Sequence, residues 1–195
     1  TYLVIKLYDG GPAIFSQERI TLRNKEFKLY KFRTMVINAE QMTGPVLASE
    51  KDPRITAVGS LLRATRIDEL PQLFNVLKGE MSIIGPRPER KFFIDQFTKD
   101  IPNFEYRLAV KAGITGLAQV MGKYTTNPRD KLRYDLLYIK NYSLLMDLKI
   151  FMQTIKIMFM KAAAKGISED KLYNYQLKEL DLSNYKNYLL KLSKG

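Results

Sequence analysis

Residues 144–161 form the most apolar segment of the chain, and they limit what it can fold into. Leu148, Met152, Ile155 and Phe159 fall on one stripe at helical spacing, while Met146, Ile150, Ile157 and Met160 fall on another, on the far side. A helix that is apolar on two sides needs two apolar neighbours. One is the core of a folded domain; the other is a bilayer interface or a partner. Asp147, Lys149, Gln153 and Lys156 interrupt the run, which favours a helix lying on a membrane over one crossing it. A fully buried core helix is the competing reading. No uncharged run elsewhere approaches the roughly 20 apolar residues of a bilayer span.

Residues 63–88 carry the chemistry. Arg63 and Arg66 precede two adjacent carboxylates, Asp68 and Glu69. Leu70, Leu73, Phe74 and Leu77 follow at the i, i+3, i+4, i+7 spacing that predicts a short helix with these four on its buried face. Pro71 suits the first turn of such a helix, where no donor is lost. The apolar run 81–84 leads into Gly85-Pro86-Arg87-Pro88, whose two prolines hold Arg87 in a stiff, extended segment. At a helix N-terminus, exposed N–H groups and the macrodipole favour an ionised Asp68 and attract phosphate. Arg63, Arg66 and Arg87 are planar donors matched to phosphate oxygens, expected to converge there. A carboxylate nucleophile, a second carboxylate for a divalent metal and arginines for the charge make a phosphoryl-transfer site. On these residues alone, Asp68 as a plain N-cap and Glu69 as a first-turn acid is the simpler alternative.

The 195 residues, 46% hydrophobic and 27% charged, suit one globular domain with a substantial core. There is no cysteine and no histidine, which removes disulfides, thiolate metal sites, imidazole bases and the usual zinc ligands. Acid–base work is left to carboxylates and lysines. The net charge of +12 favours an anionic partner: nucleic acid, an anionic membrane or a phosphorylated substrate.

Along the chain, Gly10-Gly11-Pro12 is a turn. Residues 13–22 and 26–35 read as the strands of a hairpin around Arg23-Asn24-Lys25, with Phe27, Leu29 and Lys31 on one face and Lys28, Tyr30 and Phe32 on the other. Lys31 by itself also fits a lysine that protects an edge strand. Residues 44–54 read as an irregular loop. Residues 55–66 read as a short helix carrying Val58, Leu61 and Leu62. Residues 89–97 suit a helix with Phe92, Phe93 and Phe97 inward. The glycine-punctuated stretch 111–123 reads as a strand or loop that approaches a ligand closely. Asn127-Pro128 opens a helix to about Tyr142, with Leu132, Leu136 and Ile139 on one side. The expected catalytic domain covers residues 1–163, with 164–195 a tail of no assigned role.

Five motifs occur in one order: Lys31-Phe32-Arg33-Thr34-Met35, Asp68-Glu69-Leu70-Pro71-Gln72-Leu73, Lys78-Gly79-Glu80-Met81-Ser82, Gly85-Pro86-Arg87-Pro88 and Gly113-Ile114-Thr115-Gly116. Together, over residues 11–160, they resemble the bacterial sugar transferase family, monotopic phosphoglycosyl transferases that act on polyprenyl phosphate. The resemblance implies an α+β fold, mainly helical, with a small antiparallel hairpin or sheet and interfacial amphipathic helices. It implies transfer of a sugar 1-phosphate from a UDP-sugar to polyprenyl (undecaprenyl) phosphate, with UMP released, as the first step of exopolysaccharide, capsule or glycan assembly. In that chemistry Asp68 forms an aspartyl phosphosugar and Glu69 holds Mg2+. Lys31, Arg33, Arg63 and Arg87 bind phosphate, Glu80, Pro86 and Pro88 support the motifs, and Gln119 and Lys123 contact the nucleotide. The chain departs from the family where Lys111-Ala112-Gly113 replaces Arg-Pro-Gly, Leu117 replaces tryptophan and Met121-Gly122-Lys123 replaces Asn-Gly-Arg. The resemblance further implies a place on the cytoplasmic face of the cell membrane. In that family a hydrophobic re-entrant helix precedes the position of Thr1, so the apolar start is expected to be the tail of something longer.

Two other classes compete. A nucleic-acid-binding module would show basic residues interleaved with exposed aromatics, a pattern that Tyr30-Lys31-Phe32-Arg33 fits loosely; the resemblance predicts no nucleic-acid partner. A non-catalytic membrane scaffold would be indifferent to loss of Asp68. No Walker-type Gly-Lys-Ser/Thr and no dinucleotide fingerprint is present, which excludes the common kinase and dehydrogenase designs.

Overall fold

The computed structural model describes residues 1–41, 44, 52–121 and 127–163, and they form the expected α+β fold. Lys123 and residues 164–195 lie outside the described residues, as does most of the loop read over 44–54. The hairpin is present: strand β1 (Ile14–Thr21) turns through Leu22–Asn24 into β2 (Lys25–Phe32). Arg23 and Asn24 make that turn in the left-handed region, at φ 55° and 61°. Such a short connection obliges the strands to run antiparallel. Phe27 and Leu29 are buried on the predicted face, with Lys31 half-buried beyond them.

The chain divides into two compact units, each made of two segments: Thr1–Gln17 with Lys28–Asn75, and Glu18–Phe27 with the remainder from Val76. In the first unit, helix α1 (Tyr2–Asp9) ends on Gly10 at φ 71° and sends Ile5 into a small core with Ala13 and Leu62. Phe32, Val58 and Ile67 pack around that core. Helix α2 (Ala57–Ala64) starts at Thr56, whose hydroxyl accepts from the Gly59 N–H at 2.9 Å. Gly59 sits against the Thr34 backbone so closely that a Cβ would overlap it. Of the apolar residues predicted for this helix, Leu62 is buried and Leu61 is exposed, because one turn of a short helix meets one neighbour only.

The next helix, α3 (Gln72–Leu77), reverses expectation. Leu70, Leu73, Phe74 and Leu77, predicted to be its buried face, are all exposed, Leu77 at 83%. Gln72 and Asn75 are buried instead, Asn75 completely. The periodicity was real, but hydrogen bonding decides which side turns inward.

In the second unit, β3 (Ser82–Ile84) pairs in parallel with β4 (Gly113–Thr115), Ser82 opposite Gly113 and Ile84 opposite Thr115. This parallel pair was not foreseen. Helices α4 (Lys91–Asp100), α5 (Leu117–Met121), α6 (Pro128–Lys140) and α7 (Leu144–Ala163) complete the unit. Asn127 caps α6 by accepting from the Asp130 N–H at 2.8 Å, with Pro128 in the first turn. One core gathers Ile84, Leu117, Val120, Met121, Leu137 and Tyr138 under Met146, Ile150 and Ile157 of α7. A second gathers Ile20, Ile94, Ile101, Phe104 and Leu132. The Tyr138 hydroxyl donates to Asp147 at 2.8 Å and ties α6 to α7. Phe93 is buried and Phe97 half-buried as predicted for α4, but Phe92 is exposed, one position off the stripe.

Helix α7 is two-sided, as its sequence requires. Met146, Ile150 and Ile157 fill the core, while Leu144, Leu145, Leu148 and Met152 remain exposed. Among the described residues, no helix is long and apolar enough to cross a membrane.

Candidate active site

Asp68 and Glu69 lie in a three-residue 3-10 turn, Ile67–Glu69, between α2 and α3. The turn opens on Arg66 in the left-handed conformation at φ 56°, a backbone state that costs a non-glycine residue about 1–2 kcal/mol. Both carboxylates are buried, at 7% and 9% exposure. Lys31, at the end of β2, reaches Glu69 with Nζ 3.4 Å from Oε1. Arg66 approaches the other oxygen, with Nη1 3.8 Å from Oε2. Two cations beside one buried carboxylate offset part of its desolvation.

The same side of the helical run continues as Gln72 and Asn75. Asn75 receives the Tyr30 N–H at Oδ1 (3.2 Å) and donates Nδ2 to the Lys28 carbonyl (2.7 Å). It thereby satisfies the edge of β2 just before Lys31, which is why the polar side of α3 must face inward. Gln72 is 1% exposed, and its Nε2 has no hydrogen-bond partner among the described residues. Sequence reasoning missed both amides. The signal was available: Asp68, Gln72 and Asn75 recur at i, i+4, i+7, a polar stripe as regular as the apolar one. Asn75→Ala strands a strand N–H and a carbonyl, so a loss of about 2–3 kcal/mol is expected. At roughly 2–4 °C per kcal/mol for a chain of this size, the melting temperature falls by about 4–12 °C, measurable by differential scanning fluorimetry.

Three other cations of this unit are tethered. Arg63 donates Nε to the Thr34 hydroxyl at 2.9 Å, and buried Arg33 donates Nε to the Pro12 carbonyl at 2.6 Å. Arg54 grips Asp52 with Nε at 2.8 Å and Nη2 at 2.6 Å, and these bonds hold the Asp52 carboxyl down to about 2. Tyr30 and Phe32 are half-buried, Phe32 against the Ile5–Ala13–Leu62 core, so they do not form a free stacking platform.

Arg87, Glu80, Pro86, Pro88 and Gln119 belong to the second unit. The Glu80 carbonyl accepts from the Thr21 hydroxyl at 3.0 Å, and that hydroxyl accepts from the Ala112 N–H at 3.0 Å. Pro86 and Pro88 are buried and Arg87 is half-buried between them. Gln119 spends its Nε2 on the Ile114 carbonyl at 2.9 Å, and its Oε1 has no partner among the described residues. The described members of the predicted set are thus divided: Lys31, Arg33, Arg63, Asp68 and Glu69 in one unit, Glu80, Pro86, Arg87, Pro88 and Gln119 in the second. A cavity of about 840 Å³ in the second unit, lined by Ile94, Thr98, Tyr106, Leu108, Leu136 and Ile139 among others, includes none of the predicted residues.

Gly113 and Gly116 serve the chain itself rather than a ligand. A Cβ on Gly113 would fall on the backbone nitrogen of Gly85, and one on Gly116 on the Gly85 carbonyl. The close approach predicted from their spacing is therefore backbone against backbone.

Residues 1–161 match the family model described as bacterial sugar transferase. The chain is 48% identical over 159 residues to a UDP-N-acetylgalactosamine-undecaprenyl-phosphate N-acetylgalactosaminephosphotransferase of Aeromonas hydrophila, covering 80% of this chain and 37% of that protein. It is 39% identical over 170 residues to an undecaprenyl-phosphate galactose phosphotransferase of Salmonella typhimurium, covering 80% and 35%. It is 42% identical over 156 residues to a UDP-glucose:undecaprenyl-phosphate glucose-1-phosphate transferase of Klebsiella pneumoniae, covering 77% and 33%. The chain spans about a third of the length of these curated relatives.

Proposed function

Because the chain belongs to the bacterial sugar transferase family, we propose that it holds the reacting residues for transfer of a sugar 1-phosphate from a UDP-sugar to polyprenyl phosphate. The observation that carries the reading is a pair of adjacent buried carboxylates, Glu69 braced by Lys31 and Arg66, at the foot of a helix whose outward side is Leu70, Leu73 and Phe74. Buried charge beside exposed apolar surface suits a reaction in which one substrate is a nucleotide and the other a lipid.

An Asp68 carboxylate oxygen attacks the sugar-bearing phosphorus, the bond to the UMP oxygen breaks, and UMP leaves. A phosphate oxygen of the lipid then attacks the same phosphorus and releases the Asp68 carboxylate, so the sugar phosphate ends as a lipid-linked diphosphate. Splitting the transfer lets one site take a soluble donor and a lipid acceptor in turn. Lys31, Arg63 and Arg87 offset phosphate charge, which matters most where charge develops. Gln119 Oε1 is an acceptor suited to a nucleotide hydroxyl or N–H.

The donor set fits Mg2+: Glu69 and Asp68 offer oxygen only, and this ion takes one or two carboxylates beside substrate phosphates. Glu69 would hold it, and the ion would supply positive charge to the diphosphate. The exposed side of α7, with Leu144, Leu145, Leu148 and Met152, is assigned to the membrane surface, on the cytoplasmic face where UDP-sugars are available.

The test is UMP release by the full natural chain in nanodiscs, with polyprenyl phosphate, Mg2+ and UDP-N-acetylgalactosamine, UDP-galactose or UDP-glucose, the donors to which the relatives' names point. One donor is expected to react at least about tenfold faster than the others, with EDTA stopping release and Mg2+ restoring it. No UMP from any donor rejects the reading.

A further inference from the structure

Pro86 and Pro88 have no N–H, so the segment around Arg87 offers its surroundings mostly carbonyls. It is held by donors from elsewhere. The Gly113 N–H reaches the Pro86 carbonyl at 2.9 Å, and the Ile20 N–H reaches the Glu89 carbonyl at 3.0 Å. Between them, Arg107 donates Nη2 to the Arg87 carbonyl at 2.9 Å. Arg107 sits in the 3-10 turn Phe104–Ala109 and is 4% exposed. Its other contacts lock the guanidinium. Nε and Nη2 lie 3.0 Å and 2.8 Å from Asp135 Oδ2, Nη1 lies 3.8 Å from Glu89, and the Phe104 ring is 5.1 Å from its central carbon. Asp135 is itself buried on α6.

We propose that Arg107, braced by Asp135, is a positioning residue: a buried fork that fixes the Arg87 carbonyl and so sets the aim of the Arg87 side chain. This rests on the reading of Arg87 as a phosphate ligand. A buried ion pair is a poor device for stability alone, since desolvation consumes most of its attraction. Burial pushes the Asp135 carboxyl up to about 6 against the pull of Arg107, Glu89 adding to the push and Lys131 to the pull. What the pair supplies is geometry. A guanidinium presents several donors in one plane; an ammonium in its place keeps the charge but loses the fork.

A double-mutant cycle separates aiming from general support. In the full natural chain, Arg107→Lys is expected to lower kcat/KM for the UDP-sugar by about tenfold or more, with the melting temperature within a few degrees of wild type. In an Arg87→Ala background the same change is expected to cost less than about twofold, because there is nothing left to aim. Should Arg107→Lys fail to fold, Arg107→Met with Asp135→Leu replaces the pair at similar volume and runs the same cycle. Hydrogen exchange supplies an arm that needs no turnover: the Gly113 and Ile20 amides, whose acceptors flank Arg87, are expected to exchange at least about tenfold faster in either variant, and the Ser60 amide to be unchanged. Equal kinetic cost in both backgrounds overturns the proposal, and so does unchanged exchange at Gly113 and Ile20. If wild-type protein releases no UMP, the functional reading fails on its own, and exchange alone decides the role of Arg107.

Discussion

Asp68→Asn is expected to lower UMP release by about 1,000-fold or more while the protein melts within a few degrees of wild type. The two side chains have almost the same shape, and the 3-10 turn that carries residue 68 is set by Arg66, Ile67 and Leu70 through backbone bonds. What changes is chemistry. An amide oxygen is a far weaker nucleophile than a carboxylate, and an amide does not leave phosphorus as a carboxylate does. Asp68 is buried, and Lys31 and Arg66 brace its neighbour Glu69, so the site has been shaped around negative charge that asparagine no longer provides in full. Mass spectrometry gives the complementary measurement: wild-type protein mixed with UDP-sugar and no lipid acceptor should gain one sugar phosphate on the peptide containing residue 68. Turnover within tenfold of wild type in Asp68→Asn would sink the nucleophile assignment.

Gly113→Ala is expected to be among the most damaging single-methyl changes in the second unit. The added carbon would fall on the Gly85 nitrogen, with Gly85 Cα at 2.7 Å and the Thr115 carbonyl oxygen at 2.6 Å. All three are backbone atoms in the short β3–β4 pair and its extension, so no rotamer change relieves the overlap. Overpacking of this kind costs about 3 kcal/mol or more, which lowers the melting temperature by roughly 6–12 °C. It also disturbs the Gly113 N–H bond to the Pro86 carbonyl beside Arg87. Gly10→Ala is the comparison: its φ of 71° is strained for alanine, but a Cβ there meets nothing within 4 Å, so the cost stays near 1 kcal/mol. Equal melting temperatures for the two variants would show that the Gly85–Gly113 contact yields easily.

Much of this architecture was legible in the residues. Alternation around Arg23-Asn24-Lys25 located the hairpin, and the two stripes of 144–161 foretold a helix with one side in the core and the other exposed. Side-chain period names a helix and its stripes, but it does not say which stripe turns inward. For α3 the decision was made by β2, whose edge needs Asn75, and by the buried carboxylates one turn earlier; the leucines were left outside. The parallel pair β3–β4 has three residues a strand, too few for alternation to register. Arg107 and Asp135 are 28 residues apart, and nothing in either local sequence announces that they meet.

The two-segment build of the second unit has a consequence for how the chain is made. The Thr21 hydroxyl accepts from the Ala112 N–H, a partner 91 residues later. A ribosome adding about 5–20 residues each second delivers that partner roughly 5–18 s after Thr21 emerges. Throughout that interval Ile20 and Phe27, at the far end of the hairpin, have no second unit to enter. Segments joined over such distances form late, because loop closure must precede any reward. The hairpin tip is thus a part of the nascent chain that waits long for its native neighbours.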